Sequence, residues 1–116
     1  MEVLRHHDLK QFLAFFPKIR NTISEWRLVN VSLEKDSTGS IFYIARKLRA
    51  FLSHTDGQIL ICNNRDLLVL VKTGKGSEIE QLQKDILGRF PDYDCTVAVV
   101  ESAYEIQQGV VNRGGL

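Results

Sequence analysis

The segment QILICNNRDLLVLV, residues 58–71, constrains the fold of this chain more than any other stretch. Five residues typical of strands come first, four polar residues follow, and five more strand residues complete it. Asn63 and Asn64 suit a tight turn, because asparagine tolerates positive φ better than most residues. The pattern therefore predicts a β-hairpin with residues 63–66 at its tip. The unbroken apolar run of its second strand favours a central position in a sheet.

Amphipathic helices flank the hairpin on both sides. Before it, apolar residues at three- and four-residue spacing predict a helix over residues 40–53. An alternating pattern over residues 26–34 predicts a strand ahead of that helix. After the hairpin, a helix is predicted over residues 77–90, ended by Pro91, and an apolar strand over residues 95–102. The order is β-α-β-β-α-β, which predicts an α+β, ferredoxin-like fold with both helices on one face of a four-stranded antiparallel sheet.

The chain divides into three regions around this core. At 116 residues it has the length of one domain. Residues 1–25 predict a helical segment that begins at Asp8, is kinked or divided near Phe16 because of Pro17, and packs on the domain or on a partner. Residues 26–102 form the predicted βαββαβ domain. Residues 103–116 carry little pattern and are expected to be a tail or linker.

Composition and charge argue against several functions. The 15 basic and 14 acidic residues give a net charge of +1, which produces no overall field for nucleic acid or an anionic membrane. No apolar run approaches the roughly 18 residues of a membrane span. The predicted strands carry aliphatic side chains, whereas RNA-binding proteins of this fold stack bases on aromatic ones. We therefore expect no nucleic acid, no membrane insertion and a cytoplasmic location, where Cys62 and Cys95 stay reduced.

The sequence offers no catalytic or metal-binding constellation. His6, His7 and His54 lack the spacing of metal ligands, and the chain has no C-x-x-C pair. No serine occupies a G-x-S-x-G elbow, and TGKGS at residues 73–77 departs from the phosphate-loop pattern. We therefore expect no catalytic residue, no metal and no cofactor.

Residues 44–73, IARKLRAFLSHTDGQILICNNRDLLVLVKT, resemble the middle of a GGDEF domain, the fold of bacterial diguanylate cyclases. In that family an amphipathic helix leads through an Asp-containing turn into a hairpin whose tip carries Gly-Gly-(Asp/Glu)-Glu-Phe. The resemblance covers roughly residues 26–102 and follows the family's order of elements. The positions that match the family motif are Asn63, Asn64, Arg65, Asp66 and Leu67.

Departures from the family pattern imply that catalysis has been lost. The two glycines of the motif are asparagines here, and only Asp66 keeps a carboxylate. Acidic residues that help hold Mg²⁺ in active members correspond to the neutral Asn30 and Ser32. Phosphoryl transfer needs metal-assisted neutralisation of charge, which one carboxylate beside Arg65 cannot supply. The resemblance therefore implies a degenerate, non-catalytic module of a larger bacterial signalling protein.

Two functions fit this interpretation. The first is a regulatory or protein-interaction domain that dimerises or contacts a protein partner, with Phe15, which lies off the main apolar stripe, as a candidate contact. The second is a sensor of a nucleotide or metabolite, in which Arg65 with Arg46 or Arg49 would contact an anion. The tip, residues 63–66, is then either a plain turn or a contact to a partner or ligand.

Overall fold

The fold is α+β in the residues that the computed structural model describes, which are 2–72, 79–90 and 95–100. The strands are β1 (Glu2–Leu4), β2 (Trp26–Leu33), β3 (Gly57–Ile61), β4 (Asp66–Lys72) and β5 (Cys95–Val100). The α-helices are α1 (Leu9–Leu13), α2 (Thr38–Phe51) and α3 (Ile79–Arg89), and two 3-10 helices span His6–Asp8 and Phe16–Glu25. The predicted TGKGS loop, the end of the predicted last strand at residues 101–102 and the predicted tail over residues 103–116 lie outside the described residues.

The strands form one mixed sheet in the order β1-β3-β4-β2-β5. The predicted hairpin is present, because β3 and β4 pair in antiparallel register from Gly57↔Val71 to Ile61↔Leu67. β4 lies at the centre of the sheet, as its apolar run indicated. The prediction of a purely antiparallel, four-stranded sheet did not include β1, which pairs in parallel with β3. Three residues are too short to show strand periodicity, so the sequence carried no signal for this strand.

The N-terminal segment covers one face of the sheet. The helical region divides at Phe15, as predicted, and Pro17 lies in the first turn of the second helix, where a missing N–H costs little. Apolar side chains of this segment pack against the strand residues Leu28, Leu60 and Leu68. The buried side chains of the segment are Leu4, Phe12, Phe16 and Ile19.

The other face of the sheet is covered by α2 and α3. Ile44 and Leu48 of α2 and Ile86 of α3 pack in one cluster with inward-facing residues of β2, β3, β4 and β5. The strand residues in this cluster are Val29, Val31, Leu33, Ile59, Ile61, Leu67, Val69, Val71 and Val97. Because the chain covers both faces of its own sheet, a binding site is expected at the strand ends or on the outer helix surfaces.

None of the helices in the described ranges combines the length and the apolar character that a crossing of the bilayer requires.

Candidate functional site

The tip of the β3–β4 hairpin is a turn closed by the side chain of Asn63. Its Oδ1 atom accepts hydrogen bonds from the backbone N–H groups of Arg65, at 2.7 Å, and of Asp66, at 2.8 Å. The backbone N–H of Cys62 donates to the carbonyl oxygen of Asp66 at 3.0 Å. No non-glycine residue in the described ranges has a positive φ. The expectation that asparagine serves this turn through positive φ is therefore wrong, and its side-chain amide provides the stabilisation instead.

Asp66 uses both of its carboxylate oxygens inside the chain. Oδ1 accepts a hydrogen bond from the Ser32 hydroxyl, and Oδ2 accepts one from Asn63 Nδ2 at 3.3 Å. Ser32 lies directly opposite Asp66 in the β2–β4 register. Asn30, two residues earlier on β2, donates from Nδ2 to the Ser32 hydroxyl at 3.0 Å. The structure thus joins Asn30, Ser32 and Asp66, the positions singled out by the GGDEF comparison, in one line of hydrogen bonds.

Arg65 connects the tip to the loop between β2 and α2. Its Nε atom donates to the carbonyl oxygen of Leu33 at 3.2 Å and lies 3.6 Å from a carboxylate oxygen of Asp36. Two backbone bonds reinforce the connection: Leu33 N–H to the Arg65 carbonyl at 2.7 Å, and Ser37 N–H to the Asn64 carbonyl at 2.9 Å. The tip is therefore fixed against the start of α2. The polar groups described above make the bonds that hold the tip in this position.

A cleft of about 390 Å³ lies beside the tip, at the end of the sheet. Its charged lining residues are Glu34 and Arg65, and the half-buried thiol-bearing residue Cys95 also borders it. No group of three or more His, Cys, Asp or Glu side chains in the described part of the chain is arranged to hold a metal ion. The cleft can accept a small polar group or a side chain of a partner.

Arg46 and Arg49 line a different cavity from Arg65. They face a groove of about 420 Å³ between β1 and α2, and Arg5 lies in the same groove. The anion site predicted from Arg65 with Arg46 or Arg49 is thus divided between two cavities. Sequence reasoning did not select Arg5, because its position depends on the pairing of β1 with β3.

Phe15 lies half-buried in the N-terminal segment. Its ring packs edge-to-face on the ring of Trp26, with the centroids 5.4 Å apart, and borders the cluster under that segment. Part of its surface is therefore engaged inside the chain. Its predicted contact with a partner stays a prediction.

The side chain of Asn30 is almost fully buried, and its exposed fraction is 8%. Its Oδ1 atom has no hydrogen-bond partner among the described residues. A buried carbonyl oxygen without a partner costs free energy, because it has lost its bond to water.

Replacing Asn30 by valine is expected to raise the free energy of unfolding by about 1 kcal/mol, since it removes this unpaired oxygen and suits a central strand. Urea denaturation measures the change, and Asn21→Val on an exposed helical position is the control, expected within about 0.5 kcal/mol. A destabilised Asn30→Val variant would show that the hydrogen bond from Asn30 Nδ2 to Ser32 contributes more than the unpaired oxygen costs.

No protein-family model, curated protein or solved structure matches this chain significantly. The fold and the site define an α+β domain with a five-stranded mixed sheet and a hairpin tip that is bonded to its own chain at one end of that sheet.

Proposed function

We propose that the chain is a non-catalytic regulatory or protein-interaction domain, similar to a degenerate GGDEF module, in a larger bacterial signalling protein. One observation carries this proposal: both carboxylate oxygens of Asp66 accept hydrogen bonds within the chain, from Ser32 and from Asn63. A carboxylate that binds Mg²⁺ for phosphoryl transfer has to present its oxygens to the metal. The hydrogen bonds within the tip hold it in one conformation. A polar loop held in this way on a rigid scaffold is a common form of contact surface.

The topology supports a finer assignment of the fold. Strands β3, β4, β2 and β5 are neighbours in that order and pair in antiparallel fashion. Residues of α2 and α3 share one core cluster on one face. We assign this part to the ferredoxin-like type, with β1 as an added edge strand and the N-terminal segment as a cover for the second face.

Two exposed apolar side chains support contact with a second protein molecule. Phe42 on α2 is 36% exposed and Leu87 on α3 is 38% exposed. Both helices cover the same face of the sheet and form its helical layer, in which Phe42 also lines the groove between β1 and α2. Such a layer is the surface through which the domain would dimerise or bind a protein partner.

The test of the non-catalytic role is an assay with GTP and Mg²⁺, in which an active diguanylate cyclase serves as the positive control. We expect no cyclic dinucleotide and no release of pyrophosphate. Turnover that Asp66→Ala abolishes would overturn the proposal. Light scattering tests self-association separately, and a strict monomer, both alone and within the full-length protein, would count against dimerisation.

A second candidate function is that of a small-ligand sensor. The observation that favours it is the groove between β1 and α2, because Arg5, Arg46 and Arg49 approach it from two elements. This function is compatible with a non-catalytic tip, since the groove and the tip cleft have no lining residue in common.

A further inference from the structure

The groove between β1 and α2 has the size and charge of a site for an anionic ligand. Its volume of about 420 Å³ lies within the range of small-molecule sites. The described residues that line it include three arginines and no acidic residue. Helix α2 itself contains no Asp or Glu over Thr38–Phe51, although the whole chain carries a net charge of only +1. Positive charge is therefore concentrated on this part of the surface.

Among the described residues, no ion pair involves two of the arginines, Arg5 and Arg46. The ion pairs in the described ranges are His7 with Asp8 and Arg65 with Asp36, and neither involves Arg5 or Arg46. Like charges in one concavity repel each other, so their arrangement becomes favourable when an anion lies between them. A guanidinium group matches phosphate in particular, because its N–H groups form two parallel, charge-assisted hydrogen bonds with the phosphate oxygens.

An exposed aromatic ring lies in the same groove. Phe42 is 36% exposed, and the guanidinium carbon of Arg5 lies 5.0 Å from the centre of its ring. Phe42 and Arg46 are four residues apart on α2, so they lie on one side of the helix. The ring surface that remains exposed can stack against a planar ring of a ligand, as bases do on aromatic side chains.

The groove extends along α2 from its first turn. Gly39 lies in that turn and lines the groove. The distance from Gly39 to Arg49 along the helix is about 15 Å, at the usual rise per residue. This length accommodates an elongated ligand with phosphate at one part and an aromatic ring at another.

We propose that this groove binds a nucleoside polyphosphate, with the phosphates contacted by Arg5, Arg46 and Arg49 and the base against Phe42. The proposal rests on the ligand-sensing candidate above and names its ligand class and its residues. The hairpin tip takes no part in it. Loss of nucleotide binding therefore leaves the proposed non-catalytic role intact, because the cyclase assay tests that role at Asp66 of the tip.

Isothermal titration calorimetry of the full chain tests the site with ATP, GTP, pyrophosphate, adenosine and guanosine as probes. We expect both nucleotides to bind at micromolar to millimolar concentration, pyrophosphate to bind more weakly, and the nucleosides not to bind. Arg46→Ala is expected to weaken nucleotide binding about tenfold or more, since it removes charge-assisted bonds to phosphate.

Lys47→Ala is the matched control for loss of charge. Lys47 is the next residue on α2, but it lines a neighbouring cavity and not the groove, and its ammonium lies 5.4 Å from the centre of the Tyr43 ring. Its replacement is expected to leave nucleotide affinity within about twofold, because exposed charges outside the groove are screened by salt.

Substitutions at Gly39 test the location of the site independently. A side-chain carbon at this position would meet no atom within 4 Å, so the fold accommodates new side chains there. Gly39→Glu places a carboxylate in the groove and is expected to abolish nucleotide binding. Gly39→Ala is expected to retain it.

Three results would overturn the proposal. The first is the absence of heat of binding for every nucleotide at millimolar concentration. The second is an equal loss of affinity in Arg46→Ala and Lys47→Ala. The third is tighter binding of an oligo(dT) strand than of ATP or GTP, weakened equally by Arg46→Ala, Lys47→Ala and Arg89→Ala, since that pattern would indicate a nucleic-acid surface over the whole helical layer.

Discussion

Replacing Phe12 by alanine is expected to lower the free energy of unfolding by about 3–5 kcal/mol. Phe12 has an exposed fraction of 0%, and its ring packs edge-to-face on that of Phe16 with the centroids 6.1 Å apart. Both rings belong to the cluster between the N-terminal segment and the sheet. Alanine would leave a cavity that the surrounding strands can fill only partly. The expected loss is a large fraction of the stability of an ordinary domain.

Urea denaturation followed by tryptophan fluorescence measures this effect, because Trp26 is the only tryptophan of the chain and is buried in the same cluster. Lys18→Ala at an exposed position of the same segment is the control, with an expected change below about 0.5 kcal/mol. If Phe12→Ala does not fold, Phe12→Leu keeps most of the volume and is expected to cost below about 1.5 kcal/mol. A small effect of Phe12→Ala would mean that the N-terminal segment packs on a partner rather than on this sheet.

Replacing Asp66 by alanine is expected to lower the free energy of unfolding by about 2 kcal/mol. The substitution removes the acceptor of two side-chain hydrogen bonds, from Ser32 and from Asn63. Hydrogen bonds to an ionised carboxylate contribute more than bonds between neutral groups. Ser32 would then keep only its bond from Asn30, and the line of polar groups on β2 would lose its connection to the tip.

The matched control is Asp56→Ala, because Asp56 is an exposed aspartate at the opposite end of β3 and is expected to change stability by less than about 0.5 kcal/mol. Amide hydrogen exchange gives a local measurement. The Leu33 and Ser37 amides, which donate to the tip carbonyls, are expected to exchange faster in Asp66→Ala. Equal stability of the two aspartate variants would show that Asp66 is not a structural residue and would reopen its role as a ligand contact.

The hairpin, its central strand and the two flanking helices could be predicted because their signals are local. The alternation and the helical spacing that define these elements are complete within each segment. Pro17 likewise indicated that the N-terminal helical region is divided. β1 could not be predicted in this way. It depends on an edge of β3 that is available for parallel pairing, and nothing within residues 2–4 indicates that edge.

The residues of the tip could be singled out from the sequence, but their bonds could not be predicted from it. The hydrogen bonds that join Asn30, Ser32 and Asp66 depend on the β2–β4 register, in which Ser32 lies opposite Asp66. The use of the Asn63 amide instead of positive φ depends on turn geometry that its residue type leaves open. Arg5 lies in the groove only because β1 pairs with β3. The sequence alone therefore did not indicate all the residues that line this groove.

The pairing of β1 with β3 has a consequence for the order in which the chain is made. Val3 leaves the ribosome before α2 is synthesised, whereas its partner Ile59 and the strand β4 follow only after α2. Until then, the aromatic side chains of the N-terminal segment have no sheet to pack on. Pairings between distant parts of a sequence form slowly, and exposed apolar groups on a nascent chain promote aggregation. The residues of β1 are therefore synthesised well before their partner strand, and they are among the last to reach their final places.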